Sequence, residues 1–229
     1  ALLPENKPKN RFKNILPYDS YRVVLNDGRP GGDYINASYI NCHDVPRKFI
    51  ASQGPTPRTI QDFWRMIWQD EVAVVVMLTN VTEGGKRKCE KYWPEPNETL
   101  TFGPFEVKAK EEGHYGCYVV RTFEVANKDN VYESVIRKLK HCQYVTWPDH
   151  GVPVSTTGFY RLHTHVMEEH NSAGNEAPIV VHCSAGVGRT GTFIGFDCLV
   201  RMIEDKAAAN VFEVVLNMRM QRTDMVQTK

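Results

Sequence analysis

Val181-His182-Cys183-Ser184-Ala185-Gly186-Val187-Gly188-Arg189-Thr190-Gly191 is the stretch from which the rest of the chain can be read. The apolar run Ile179 to Val181 that leads into it has the length and β-branched character of a short buried strand, and the residues from about Thr190 to Glu204 read as an apolar helix. A strand that opens through a glycine-rich polar loop into a helix N-terminus is suited to holding an oxyanion. The glycines let the backbone curl so that successive N–H groups point inward, and the helix adds the positive end of its dipole. Ser184, Ala185, Gly186, Val187 and Gly188 would line that cradle. Arg189 supplies a planar fork that can bond two oxygens of one anion, which lysine could not do. The same donors and positive charge favour thiolate over thiol at Cys183. The Cys-x5-Arg spacing therefore sets a nucleophile and an anion clamp on one bound group. His182 is placed to fix the loop backbone, and Thr190 to donate its hydroxyl to the sulfur as it leaves.

Two other readings of this loop stand beside that one. A cysteine after an apolar strand can be a structural core residue. Gly186, Gly188 and Gly191 also spell G-x-G-x-x-G, the fingerprint of a dinucleotide-binding turn. Against the second, four small or polar residues separate the strand from the first glycine, and Arg189 stands where a nucleotide turn asks for no arginine. Glu213, at a tolerable distance for a ribose ligand, sits in a helical pattern and not at a strand end.

Outward from the loop, the breaker stretch from Asn171 to Pro178 separates the strand from a helix over about Thr156 to Glu169, with Phe159, Leu162, Val166 and Met167 on one stripe. Ile60, Phe63, Trp64, Ile67 and Trp68 mark another amphipathic helix, followed by a buried strand from Val72 to Leu78. Tyr118 to Ala126 and Glu133 to Tyr144 are β-rich and partly alternating, and a last helix spans Phe212 to Gln221. The fold class expected is α/β: a single domain with a twisted mixed sheet flanked by helices, and the anion loop between a buried strand and a helix N-terminus.

The 229 residues suffice for one core with a deep cleft. With 28 basic and 27 acidic residues the formal charge is +1, so no global field draws the chain to nucleic acid or to an anionic membrane, and any anion site has to be local. Six cysteines occur without a C-x-x-C pair, which resembles neither a zinc site nor a disulfide framework and points to a reducing, cytoplasmic compartment. No stretch has the roughly 20 apolar residues of a membrane span. His163 and His165 form no ligand set with a nearby acid, so neither metal nor other cofactor is expected.

The loop matches H-C-x5-R-[ST]-G, and with it the chain resembles the protein tyrosine phosphatase family. The resemblance runs from PKNRFKNILPYD through DYINASYI, QGP, DFWRMIW, KCEKYWP and WPDHGVP to MRMQRTDMVQT, almost the whole of residues 1–229. It points to the phosphotyrosine-specific, receptor-like branch, since dual-specificity enzymes are shorter and lack the N-terminal recognition segment. What it implies is hydrolysis of phosphotyrosine in protein substrates through a cysteinyl-phosphate. Asp149 of Trp147-Pro148-Asp149 would be the general acid and then the base for water. Gln227 would orient that water, Glu83 would steer Arg189, and Lys88 would stand near the mobile acid loop. Phe12, where the family usually has tyrosine, would stack on the phosphotyrosyl ring, and Asn14 would bond the peptide backbone. A membrane-receptor parent, with this segment as its intracellular part, fits the same resemblance.

Three departures bear on activity. Asp224 replaces a small residue of the usual R-P-G-M, which narrows the cleft entrance and disfavours acidic peptide flanks. Gly84 replaces a commonly basic residue. The chain stops at Lys229, short of the family's closing helix, so the segment is expected to be cut from a longer protein. Because tandem receptor phosphatases often carry an inactive second domain, a docking module is the rival function.

Overall fold

The computed structural model describes residues 1–28, 31–129, 135–148, 151–153 and 156–227. After a 3₁₀ turn at Lys7–Lys9 come β1 (Arg22–Val24), β2 (Tyr34–Cys42), β3 (Val45–Ser52), α1 (Ile60–Gln69) and β4 (Val74–Met77). A two-stranded hairpin follows, β5 (Thr82–Glu83) with β6 (Lys86–Arg87), then β7 (Thr99–Phe102), β8 (Phe105–His114), β9 (Tyr118–Asn127) and β10 (Ile136–Tyr144). The chain continues with α2 (Thr156–Ala173), β11 (Ile179–His182), α3 (Gly188–Glu204) and α4 (Val211–Gln221). Nine strands form one mixed sheet in the order β1-β2-β3-β11-β4-β10-β9-β8-β7. Its four central strands, β3, β11, β4 and β10, are parallel, and antiparallel hairpins extend both edges.

The period-2 alternation of the central strands assigns each face to its own layer. Val74, Val76, Ile179 and Val181 point into a core shared with Phe159, Leu162 and Val166 of α2, Phe193 and Ile194 of α3, and Val214 and Met218 of α4. Val75, Met77 and Val180 point the other way, onto Phe63, Trp64, Met66 and Ile67 of α1 and onto Tyr92. β4 and β11 are buried along their whole length, as continuous apolar runs covered on both faces require. The helices and the strands β4, β9, β10 and β11 lie where the sequence pattern puts them, within a few residues, while β3, also central, has no counterpart among the expected strands. The helix expected from Thr156 to Glu169 runs on to Ala173, into the stretch read as a breaker, and ends at Gly174 with φ of +68°. The helix after the loop begins two residues early, at Gly188. Glu133, the expected start of a strand, falls outside the described residues, and that strand is seen from Ile136.

Candidate active site

β11 and α3 meet at the loop from Cys183 to Val187, beside the C-terminal end of the parallel strands. Gly186 has φ of +72°, and a Cβ there would lie 2.2 Å from Ser52 O of β3, so no other residue lets the loop sit against the sheet. This turn aims Gly186 N–H at Cys183 Sγ (3.3 Å), and Thr190, buried in the first turn of α3, donates its hydroxyl to the same sulfur (3.3 Å). Cys183 is only 6% exposed. Beneath the loop lies Arg222, entirely buried, with Nε donating to Gly186 O (2.8 Å) and Nη2 to Ala185 O (3.2 Å). Pulling these carbonyls outward leaves the N–H edge of the same peptides facing the cradle. Ser38 Oγ and Asn36 Oδ1 accept the remaining bonds of Arg222, at 3.1 and 2.8 Å. Burial lowers its pKa to about 10, so it stays charged at neutral pH.

Arg189 stands on the first turn of α3. Nη1 and Nη2 make a two-pronged pair with Glu83 of the hairpin (2.7 and 2.9 Å), Nη1 also reaches Leu78 O (3.0 Å), and Nη2 reaches Pro148 O (3.2 Å). Its guanidinium lies 5.6 Å from the centre of the Trp147 ring. Burial raises the Glu83 pKa, but the Arg189 guanidinium, Asn80 N–H and the Thr79 hydroxyl outweigh it and bring the carboxyl down to about 2. Trp147 Nε1 donates to Gly151 O (3.2 Å). Asp149 itself lies outside the described residues.

His182, the last residue of β11, is fully buried. Its Nδ1 is 3.1 Å from Cys183 O and its Nε2 2.7 Å from Tyr92 Oη, which is also 2.9 Å from His141 Nε2. Burial pushes the His182 pKa down to about 4 and that of His141 well below the ordinary range, while it raises that of Tyr92. At neutral pH this is a chain of uncharged groups that locks the loop backbone and adds no charge to the site.

The N-terminal segment is fastened over one side of the loop. Arg11 N–H donates to Gln53 Oε1 (2.9 Å), and its guanidinium bonds Gly54 O and Pro55 O (3.1 and 2.6 Å). Gly54 N–H in turn donates to Ser184 O (2.9 Å), so the segment, the residues after β3 and the cysteine loop form one unit. Asn10 Oδ1 accepts from Tyr34 Oη and Asn36 Nδ2. Phe12 is 39% exposed, and Asn14 lines a surface cavity of about 760 Å³ with Thr223. Gln227 is exposed and sits beside Gly188, its Cβ and Oε1 each 3.6 Å from where a Cβ on Gly188 would be. Lys88 is half-buried after the hairpin, with its N–H on Val81 O. Cys183, Arg189, Thr190, His182, Glu83, Trp147 and Gln227, read from distant parts of the sequence, are thus gathered around one loop.

A family model described as protein-tyrosine phosphatase matches residues 6–229. The chain belongs to the protein-tyrosine phosphatase family. That family consists of phosphoric monoester hydrolases, and its curated members include proteins 41–44% identical to this chain. "Tyrosine-protein phosphatase Lar-like" of Caenorhabditis elegans is 44% identical over 98% of the chain, which covers 10% of that protein. "Receptor-type tyrosine-protein phosphatase C" of Homo sapiens is 43% identical over the whole chain and 18% of its own length. "Tyrosine-protein phosphatase non-receptor type 4" of Mus musculus is 41% identical, with 24% of its length covered. The chain therefore spans a quarter or less of each of these relatives. Both receptor and non-receptor phosphatases are among them, and no described helix is long and apolar enough to cross a membrane.

Within this phosphatase fold, three residues that brace the site had no role assigned from sequence. Tyr92 and Arg222 lie inside quoted motifs, KCEKYWP and MRMQRTDMVQT, yet nothing local marks them as supports of the loop. Arg11 was read only as part of the recognition segment. Arg11 and Arg222 act on backbone carbonyls far away in sequence and Tyr92 on the imidazoles of His182 and His141, contacts that show themselves only in three dimensions.

Proposed function

We propose that this chain removes phosphate from phosphotyrosine in proteins, with Cys183 as nucleophile and Asp149 as general acid and base. The observation that carries the reading is the convergence of Gly186 N–H and Thr190 Oγ1 on Cys183 Sγ, with Arg189 held at the mouth of the same loop by Glu83. In the first step the thiolate attacks phosphorus, the P–S bond forms as the bond to the tyrosyl oxygen breaks, and Asp149 gives that oxygen its proton. The inward N–H groups of residues 184–188 and the Arg189 fork hold the equatorial oxygens, where charge is spread in the transition state. In the second step Gln227 orients a water, Asp149 takes its proton as the water oxygen bonds to phosphorus, and the P–S bond breaks to release inorganic phosphate and return the electron pair to sulfur. The bond from Arg189 to Pro148 O couples phosphate capture to the acid loop.

Phe12 and the N-terminal segment form a wall whose aromatic ring stacks on a phosphotyrosyl ring and whose depth rejects phosphoserine. The substrates are phosphotyrosine proteins met on the cytoplasmic side, and the residues named here act as one domain over 1–229. A docking role without turnover is favoured by Phe12 and by the exposed Asp224 at the cleft entrance. Phosphate release from a phosphotyrosyl peptide against its phosphoseryl counterpart separates the two. Turnover of the first alone is the expected result; binding of the phosphotyrosyl peptide with no release refutes the enzymatic reading.

A further inference from the structure

Between α4 and Gln227 the backbone takes an unusual course. Asp224 and Val226 both have φ of +56°, a left-handed conformation that a β-branched residue avoids. Two contacts press this turn against α3. Val226 N–H donates to Val187 O (3.0 Å), and Gly191 leaves the space, since a Cβ there would be 2.4 Å from Val226 N. Among the described residues, one side chain hydrogen-bonds the carbonyls on the outer side. Arg219, in the last turn of α4, donates Nε to Met225 O and Nη2 to Val226 O, each at 2.8 Å. The planar guanidinium spans two successive carbonyls of the strained turn, and the next residue is Gln227, against Gly188 of the phosphate loop.

We propose that Arg219 is a positioning residue for Gln227, holding the turn in the strained shape that delivers the carboxamide to the loop, and so governs the hydrolytic half of the reaction alone. The inference rests on the reading of Gln227 as the residue that orients water. In that half-reaction the water oxygen bonds to phosphorus, the P–S bond breaks with its electron pair returning to Cys183, and the water proton passes to the carboxylate base. A displaced carboxamide slows this step and leaves transfer of phosphate to sulfur untouched. Because kcat/KM counts only the steps up to the covalent intermediate, kcat and KM then fall together while their ratio stays.

The experiment is stopped-flow and steady-state hydrolysis of an aryl phosphate by the full chain, wild type beside Arg219→Met, Arg219→Lys and Gln227→Ala. Acid-quenched samples are weighed intact for phosphocysteine. For Arg219→Met the expected result is a fall in kcat of between about 10- and 100-fold, the loss that misplacement by about an ångström brings. KM should fall in proportion, with a product burst near one per enzyme and trapped phosphoenzyme. Arg219→Lys keeps the charge and the helix but cannot span both carbonyls, and should show the same pattern to a lesser degree; it also serves if the methionine variant does not fold. Loss of kcat/KM without a burst, or an unchanged kcat, in the folded Arg219 variants overturns the proposal. A burst in Gln227→Ala alone sinks the role of Arg219 and spares that of Gln227. No burst in Gln227→Ala removes the premise, and the inference with it.

Discussion

Replacing Glu83 by glutamine tests how the site holds its arginine. The carboxyl is lowered from 4.5 to about 2 in the folded protein, with Arg189, Asn80 N–H and Thr79 Oγ1 as partners. A shift of about 2.5 units is worth roughly 3.4 kcal/mol at about 1.36 kcal/mol per unit. The hairpin borders solvent, and screening reduces this to about half. The sign follows from linkage. A carboxyl depressed on folding adds stability that is complete above its unfolded value and fades as pH falls through the folded one. Urea denaturation of Glu83→Gln should therefore give a lower midpoint at pH 7 by the equivalent of about 1.5–3 kcal/mol. The gap to wild type should narrow by about 40% at pH 3.5, where the unfolded carboxyl is already protonated. Inhibition by inorganic phosphate should weaken by about 10-fold, because a neutral amide holds the fork less firmly. A stability gap of the same size at both pH values would show that the loss is one of packing and not of charge. Unchanged phosphate inhibition would refute the steering of Arg189 by Glu83.

Gly186→Ala should cost more than about 2 kcal/mol by thermal melting, from an added methyl against Ser52 O and a left-handed φ, and should abolish phosphate binding with it. Asn210→Ala removes the side chain that accepts from Phe212 N–H and Glu213 N–H at the start of α4; a loss near 1 kcal/mol is expected in the same assay, with kcat unchanged. Cys183→Ser should end turnover yet retain phosphotyrosyl peptide in equilibrium binding. Asp149→Ala should lower kcat by about 10²–10⁴-fold with little change in peptide affinity, and equal loss of both would argue against an acid role.

What could be read in the sequence follows the distance over which the information is spread. The anion loop was legible because strand, loop and helix are contiguous, and glycine, cysteine and arginine each have a local physical reason there. The helix over Ile60–Gln69 was legible from spacing alone, and the last helix, expected over Phe212 to Gln221, is seen at Val211–Gln221. The strands β1, β2, β3, β7 and β8 were not legible. β8 buries Phe105, Val107 and Ala109 in alternation, but a bulge between Ala109 and Glu111 breaks the period just where lysines and glutamates begin to resemble a solvated segment. Glu83, Gln227 and Phe12 were named through resemblance and not by pattern; Glu83 meets Arg189, and Gln227 meets Gly188, across the fold. The same holds away from the site. Lys48 of β3 forms a buried pair with Asp197 of α3 (2.5 Å), which also bonds His163 of α2 (2.9 Å), and no spacing in the sequence announces that cluster.

The two arginines at the loop are treated oppositely, and the difference explains how a chain of formal charge +1 concentrates positive potential in one place. Arg189 faces the cleft and is paired with Glu83, so its charge is largely balanced and its geometry is what it offers. Arg222 is buried, and all four of its acceptors are neutral: two loop carbonyls, a hydroxyl and an amide oxygen. A carboxylate in that position would lower the cost of burying the guanidinium, which is high without one. It would also cancel the field at the floor of the cradle, where the proposed mechanism seats a phosphate dianion. Neutral acceptors keep the cation desolvated and without a carboxylate partner, and they transmit its effect by turning the carbonyls of Ala185 and Gly186 away from the cradle. His182, held neutral by burial, adds rigidity without charge. The positive character of the loop thus comes from Arg222, the N-terminus of α3 and oriented peptides, all immobile before any anion arrives, which is the condition under which electrostatic stabilisation costs nothing at the moment of reaction.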